Sequence, residues 1–366
     1  MKAVNRTSSF TSGQKIVRGR RGSVSAAQWS DWRWQYRNRV RSLEKFASAI
    51  NAPVESFTAG EAVAETYPLA VTPYFLSLID ATEDADPLRR QCVPDFQELD
   101  LALGEDDDPL GEQRAMPVPG LVHRYPDRAL MIVTHACAVY CRHCNRKRIW
   151  CDQRPRSVKA RLLRMIDHIE RTPSLREVIL SGGDPLLLSD GILDWLLGVL
   201  RAISHVEVLR IGSRAPVTLP MRVTSELASM LKRHRPLWFN TQFNHVREIT
   251  PESTRACERL LMAGIPVSNQ SVLLKGINDN YETMRELLVG LERISVRPYY
   301  LFQCDPVRGV NHFSVDIDKG MEIMEKLRLN ISGLALPRYV QDCPGGRGKI
   351  PLQRLLNSGC GSGWDK

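Results

Sequence analysis

Six times between residues 129 and 328, a short apolar run rich in strand formers is followed by a stretch of helical periodicity. That alternation restricts the fold more than anything else in the chain. The strands fall near 129–134, 177–181, 207–213, 237–242, 265–271 and 297–303. The helices fall near 157–171, 188–203, 224–234, 251–263, 279–294 and 315–328. Helix starts are well marked: Thr250-Pro251-Glu252 supplies a cap, a first-turn proline and an acid, and Thr224-Ser225-Glu226 is similar. Regular alternation calls for parallel strands with right-handed crossovers. Six units fit a partial (β/α)6 barrel better than a closed eightfold one, so the fold class is α/β.

In such a barrel the residues that follow each strand share one mouth. The first strand end carries Thr134–Arg148, with Cys137, Cys141 and Cys144 at C-x3-C-x2-C spacing. Three thiolates on a short loop suit a four-iron cluster, and the lack of a local fourth ligand leaves one iron open to a small molecule. Zinc is the alternative, with His135, His143 or Cys151 completing a set, but no second C-x2-C pair lies downstream. The other strand ends are polar too. They bring Ser181-Gly182-Gly183-Asp184, Gly212-Ser213-Arg214, Thr241-Gln242, Asn269-Gln270-Ser271, and Tyr300 with Gln303 and Asp305. Near the end of the chain, Gln341-Asp-Cys-Pro-Gly-Gly-Arg-Gly-Lys349 is a glycine-rich loop. Its lysine would hold a phosphate or form an imine with an aldehyde cofactor, or else sit on a solvated surface.

The chain has 366 residues, 43% of them hydrophobic and 25% charged, as in an ordinary globular protein. No apolar run is long enough to span a bilayer, and no secretory signal opens the chain. Nine cysteines, an odd count, argue against a secreted disulfide framework and for the cytoplasm. The net charge of +9 is unevenly placed, since residues 1–24 carry six cations and no acid, leaving +3 for the rest. Such an arm reads as disordered and solvated. Ser25–Ile50 reads as one amphipathic helix capped by Ser25, with Trp29, Trp32 and Trp34 packing against a neighbour. The acidic run 105–109 reads as a surface linker. The organisation expected is a basic tail (1–24), an N-terminal helical region (25–116), the barrel (117–330) and a C-terminal segment bearing Lys349 (331–366).

Motif by motif, the chain resembles the lysine 2,3-aminomutase family of radical S-adenosylmethionine enzymes. The likeness takes in Asp31-Trp-Arg-Trp-Gln35, Pro119-Gly-Leu-Val-His-Arg-Tyr-Pro-Asp-Arg128 and the cysteine loop. It continues through Leu180-Ser-Gly-Gly-Asp184, Ile211-Gly-Ser-Arg214 and Asn269-Gln-Ser-Val-Leu-Leu274. Arg297-Pro-Tyr-Tyr300, Gln303-Cys-Asp305 and the Lys349 loop complete it, so that nearly all of residues 25–352 is covered in order.

The resemblance implies an isomerase built on a partial radical SAM barrel. Cys137, Cys141 and Cys144 would hold a [4Fe–4S] cluster, and Gly182, Gly183, Asp184, Gln270 and Ser271 would hold S-adenosyl-L-methionine. Lys349 would carry pyridoxal 5′-phosphate, with Arg124 and Arg128 at its phosphate. Arg146 would clamp the substrate carboxylate, and Asp305 and Asp342 the distal ammonium of L-lysine, giving β-lysine by 1,2-amino migration. Arginine, giving β-arginine, is the alternative substrate, and β-lysine formation in the service of a translation factor an alternative setting. The aspartate pair disfavours glutamate. A flavodoxin or ferredoxin would supply the electron, with no nucleic acid and no membrane involved. The likeness also implies a homo-oligomer, although Asn280 stands where some relatives carry a zinc cysteine and only Cys360 lies near the C-terminus. Arg347 interrupts the expected glycine run and would alter cofactor binding or distal specificity.

Overall fold

The six strand–helix units and the strands around them build one sheet of nine strands. They are β1 (Leu121–Tyr125), β2 (Arg128–Thr134), β3 (Glu177–Gly182), β4 (Val208–Gly212), β5 (Leu237–Thr241), β6 (Val267–Val272), β7 (Arg297–Phe302), β8 (Arg338–Cys343) and β9 (Gly348–Pro351). The computed structural model describes residues 24–353, apart from 84, 101–102 and 151–157. The cations of the basic arm, Cys151 and Cys360 therefore lie outside the described residues. Strands pair in sequence order, β2 to β8 all parallel, with β1 and β9 antiparallel at the two edges. Six crossover helices join the parallel strands: α1 (Val158–Glu170), α2 (Asp190–Ala202), α3 (Ser225–Lys232), α4 (Pro251–Met262), α5 (Tyr281–Arg293) and α6 (Ile317–Asn330). The partial (β/α)6 barrel is thus present, extended by a seventh parallel strand and two antiparallel edges that periodicity does not reveal.

The helices bury one stripe each. In α1 it is Leu162, Met165, Ile166 and Ile169, in α2 Leu193, Leu196, Leu197 and Leu200, and in α5 Met284, Leu287, Leu288 and Leu291. The offset is the same each time, three, four and seven residues, which is the apolar stripe of a helix lying on a sheet. Each fully buried leucine is worth about 1.5–3 kcal/mol relative to exposure. Caps start the helices where the polar signals stand. Ser189 accepts from Ile192 N, Thr224 from Leu227 N and Thr250 from Ser253 N. Asn280 does the same for Thr283 N at the start of α5.

Strand parity separates the two faces of the sheet. Val178, Leu180, Leu209 and Ile211 are fully buried toward the helices. Their neighbours Ile179, Ser181, Arg210 and Gly212 are only half-buried and line a central cavity of about 380 Å³. A closed barrel fills its interior with layers of branched side chains; this sheet curls around space instead.

The N-terminal region is not one helix. Asp31 accepts from Arg33 N and Ser42 from Lys45 N, and these in-line caps divide the stretch into Ala26–Ser30, Trp32–Arg37 and Leu43–Ile50. Ser25 does cap the first, through a reciprocal pair with Gln28. Phe46, Phe75 and Leu88 from this region are fully buried in the same continuous core as the barrel helices. The acidic stretch 105–112 is tied down rather than free. Asp107 pairs with Arg308 at 2.9 Å, and Asp108 pairs with Arg148 at 3.0 Å.

Candidate active site

The cysteine loop is positioned from both sides. Gly182 and Gly183, at the end of β3, lie beneath it: Gly183 N donates to Thr134 O and Asp184 N to Ala136 O, both at 2.7 Å. A Cβ at Gly183 would fall 2.3 Å from Ala136 O, and one at Gly182, where φ is +128°, 2.4 Å from Thr134 O. Only glycine permits that approach. Asp184 is spent on protein groups. Its carboxylate accepts from Leu186 N (3.0 Å), Ser213 Oγ (2.7 Å) and Arg214 N (3.0 Å), bracing the mouth of the cavity it lines.

The loop's own cations are matched by acids from residues 98–112. Arg142 forks onto Glu98 at 2.8 and 2.7 Å, and Lys147 Nζ reaches the same carboxylate at 2.6 Å, all three side chains being fully buried. Arg146 forks onto Glu112 through Nε (2.8 Å) and Nη2 (2.5 Å), and Arg148 joins at 2.7 Å. Burial alone would raise the Glu112 carboxyl, but Arg146 and then Arg148 bring it down to about 2. Arg146 keeps Nη1 turned toward Ser181 Oγ (3.4 Å) on the cavity wall. Neither Glu98 nor Glu112 carries a motif, so sequence reasoning passes over both.

All three cysteines line the cavity. Burial raises the thiols of Cys137 and Cys144, the latter to about 11, and the neighbouring sulfurs raise them further. Thiols in that position ionise together only around a positive group. Among the described residues no three His, Cys, Asp or Glu side chains converge as a single metal ion requires. Three thiols that line one cavity from a single short loop suit a cluster that takes one sulfur per iron. Arg214 Nη1 donates to Cys141 Sγ at 2.7 Å, and its other nitrogens are held by Glu248 (2.7 Å), Gln91 (2.5 Å) and the carbonyl of Gln242 (3.1 Å). Backbone N–H of Arg146 donates to Cys144 Sγ at 3.3 Å.

Deeper in the cavity, Gln270 projects from β6 into the open space. Ser271 does not: being one residue on, it faces the other way, donating to Phe243 O at 2.8 Å and accepting from Asn269 at 2.7 Å. The structure therefore brings Gln270, and not Ser271, to the cavity wall. Between Gln270 and Asn269 the β6–β7 register slips, leaving Tyr299 without a partner in the ladder. Such bulges re-aim side chains beside active sites, and here Tyr300 and Phe302 turn toward the chain's far end.

That far end is a hairpin. β8 and β9 pair Asp342 with Lys349 and Cys343 with Gly348. Gly345, Gly346 and Gly348 all have left-handed φ, between +70° and +85°, which explains the glycine-rich turn. A Cβ at Gly346 would lie 2.4 Å from Arg124 O, so the turn docks directly on β1. Arg124 Nη2 then donates to Asp342 (3.2 Å) and to Cys343 O (2.6 Å), and this contact joins the two sheet edges. Arg347 is exposed on the turn, away from the cavity.

Lys349 points inward. Its Nζ lies 3.5 Å from Asp342 Oδ2 and 5.8–5.9 Å from the ring centres of Tyr125, Tyr300 and Phe302. Lys349 and the three cysteines line the same cavity. Arg124 and Arg128 line it as well, and Arg124 Nε is buried with no hydrogen-bond partner among the described residues, a donor suited to an anion such as phosphate. Arg128 lies over the Tyr125 ring at 3.8 Å and pairs with Asp127.

Asp305 and Asp342 face the cavity together. Asp342 has Arg124 and Lys349 as counter-ions. Asp305 has no ion-pair partner among the described residues; Asn145 donates to it at 3.0 Å. Burial, with the charges of Asp342 and Glu112 adding to it, pushes its carboxyl up to about 6.

Known proteins resemble this chain along most of its length. Residues 131–288 match the Radical SAM superfamily. The L-lysine 2,3-aminomutase of Clostridium subterminale is 49% identical over 90% of this chain and 79% of its own length. That of Bacillus subtilis is 45% identical over 90% of this chain and 70% of its own. The glutamate 2,3-aminomutase of Clostridioides difficile is 42% identical over 90% of this chain and 79% of its own.

Proposed function

The chain belongs to the lysine 2,3-aminomutase family, an isomerase family of radical S-adenosylmethionine, iron–sulfur enzymes, and we propose that its reaction is the interconversion of L-lysine and β-lysine. The observation that carries the choice of substrate is Asp305, a half-buried carboxylate that faces the cavity and has no ion-pair partner among the described residues. An uncompensated buried charge costs several kcal/mol. A substrate whose far end is an ammonium relieves it; a glutamate side chain would add a third carboxylate beside Asp305 and Asp342.

Cys137, Cys141 and Cys144 would hold the cluster, with Gln270 and the backbone around Gly182 and Gly183 at the S-adenosylmethionine side of the cavity. Lys349 would anchor pyridoxal 5′-phosphate. Bound there, cluster and S-adenosylmethionine supply a hydrogen-abstracting radical, and pyridoxal phosphate supplies the π-system across which nitrogen migrates. The protein's share is placement. Arg124 Nε and Arg128 suit the cofactor's phosphate, and the rings of Tyr125, Tyr300 and Phe302 enclose the Lys349 amine. Arg146, its Nε and Nη2 pinned by Glu112, offers Nη1 to the substrate carboxylate beside Ser181. Distance between Arg146 and Asp305 then selects chain length as well as charge.

The test is product analysis with lysine, arginine, ornithine and glutamate offered in parallel to anaerobically reconstituted enzyme. β-Lysine as the main product supports the reading; β-arginine in its place moves the substrate to the guanidinium. Lys349→Ala removes turnover if the cofactor is held as proposed, and unchanged turnover would exclude that role.

A further inference from the structure

The positive charge of this protein is concentrated at one end of the chain. Residues 1–41 hold ten Lys and Arg and one acid, Asp31, while the remaining 325 residues hold 40 of each sign and sum to zero (50 − 10 = 40; 41 − 1 = 40). Within the described part of that stretch, Arg33, Arg37 and Arg41 are exposed, and the Arg37 side chain retains 71% of its surface. Arg33 and Arg37, four apart on the Trp32–Arg37 helix, share a face.

The same segment touches the cysteine loop. Arg39 Nη1 donates to the carbonyl of Cys137, and its guanidinium lies 3.7 Å from the centre of the Tyr36 ring. Val40 forms a two-residue bridge with Val71 (2.8 and 3.0 Å), and the adjoining Ala70 carbonyl accepts from Tyr140 N at 3.0 Å. Arg39 and Arg41 flank that bridge, and both act electrostatically on Tyr140, as does Cys137. Tyr140 in turn stacks on Trp150 at 4.8 Å. An exposed cationic segment is thus tied, through Arg39, to the backbone of one of the three cluster cysteines.

We propose that the face presented by Arg33, Arg37 and Arg41 beside Cys137 is where an acidic one-electron carrier protein docks to reduce the cluster. The inference rests on the radical reading above. In the step the carrier loses one electron and the cluster gains it, passing from its oxidised to its reduced state, with no bond formed or broken. Electron-transfer encounters are small, transient and driven by complementary charge. The carrier must approach the cluster closely, and the arginine-bearing segment is hydrogen-bonded to the backbone of one cluster cysteine. A nucleic acid would also be drawn to arginines, but the proximity to Cys137 favours a redox partner.

The experiment uses the full chain reconstituted with iron and sulfide, with an acidic flavodoxin in its fully reduced form as the probe. Cluster reduction is followed by stopped-flow loss of visible absorption, at low and high salt, with dithionite as the reference reductant. For the Arg37→Glu/Arg41→Glu double variant, reduction by flavodoxin slows by about tenfold or more at low salt. Added salt brings the unmodified protein toward the variant, and dithionite reduces both equally. Arg37→Lys/Arg41→Lys retains the fast rate. Equal flavodoxin rates in wild type and the charge-reversed variant would overturn the proposal. So would a variant that loses single-stranded DNA binding while its flavodoxin rate holds. β-Lysine formation after dithionite reduction is assayed beside it: absence of that product with charge-dependent reduction intact defeats the substrate reading and leaves the docking face standing.

Discussion

Asp305 is the residue on which substrate choice turns, and its protonation gives a direct readout. With its carboxyl raised to about 6, it is neutral in acid and gains its charge as pH rises through that value. Lysine binding, measured by equilibrium titration of the reconstituted enzyme, should therefore tighten between about pH 5 and 7. Asp305→Asn should flatten that dependence and weaken binding at neutral pH by about tenfold or more, the worth of a charged hydrogen bond. Glu112 has the opposite sign. Its carboxyl is depressed to about 2, so the stability it contributes is complete above the ordinary glutamate value of 4.5 and drains away as pH falls toward 2. Thermal unfolding across that range should show a fall in Tm for the wild type and a shallower one for Glu112→Gln, which starts about 3–5 kcal/mol less stable because Arg146 loses its partner and Arg148 keeps only Asp108. The residues named from motifs and those found only in space differ in kind. Cys137, Lys349 and Asp305 stand in recognisable local patterns. Glu98 and Glu112 reach partners 34 to 49 residues away, a separation that leaves no trace in the local sequence. Ser271 misleads for a different reason, since a strand end names adjacent residues while the pleat sends them to opposite faces.

At the scale of the elements, the six strand–helix units are legible because each helix buries one face and four of them, α2 to α5, begin at a side-chain cap. β1, β8 and β9 are not, because Leu-Val-His-Arg-Tyr, Arg-Tyr-Val-Gln-Asp-Cys and Gly-Lys-Ile-Pro have neither a long apolar run nor clean alternation. They are strands because their neighbours supply a ladder. The β8–β9 turn is the element most sensitive to a single methyl group. Gly346→Ala imposes a left-handed φ on a residue with a Cβ, at about 1–2 kcal/mol, and drives that Cβ into the Arg124 carbonyl. The hairpin should shift and pyridoxal phosphate retention, read from its absorbance after gel filtration, should fall, while iron content stays level. Gly183→Ala should do the converse, displacing the cysteine loop and lowering iron per chain with the cofactor aldehyde still bound.

Across the whole molecule, the N-terminal helices and the barrel share one core, and one link between them at the site is the Glu98–Arg142–Lys147 cluster. Glu98→Gln leaves two buried cations with a neutral partner. It should cost about 3–5 kcal/mol and release the cysteine loop from the N-terminal side, seen as faster iron loss to a chelator. One consequence of the sheet's geometry concerns how so enclosed a chamber is walled. Every neighbouring pair of strands from β1 to β9 is laced by backbone hydrogen bonds, but the first and last edges meet through the Arg124 side chain, Asp342, a single carbonyl and the glycine turn. The wall beside Lys349 is thus closed by side chains and one turn, and the wall beneath the cysteine loop by an unbroken backbone ladder.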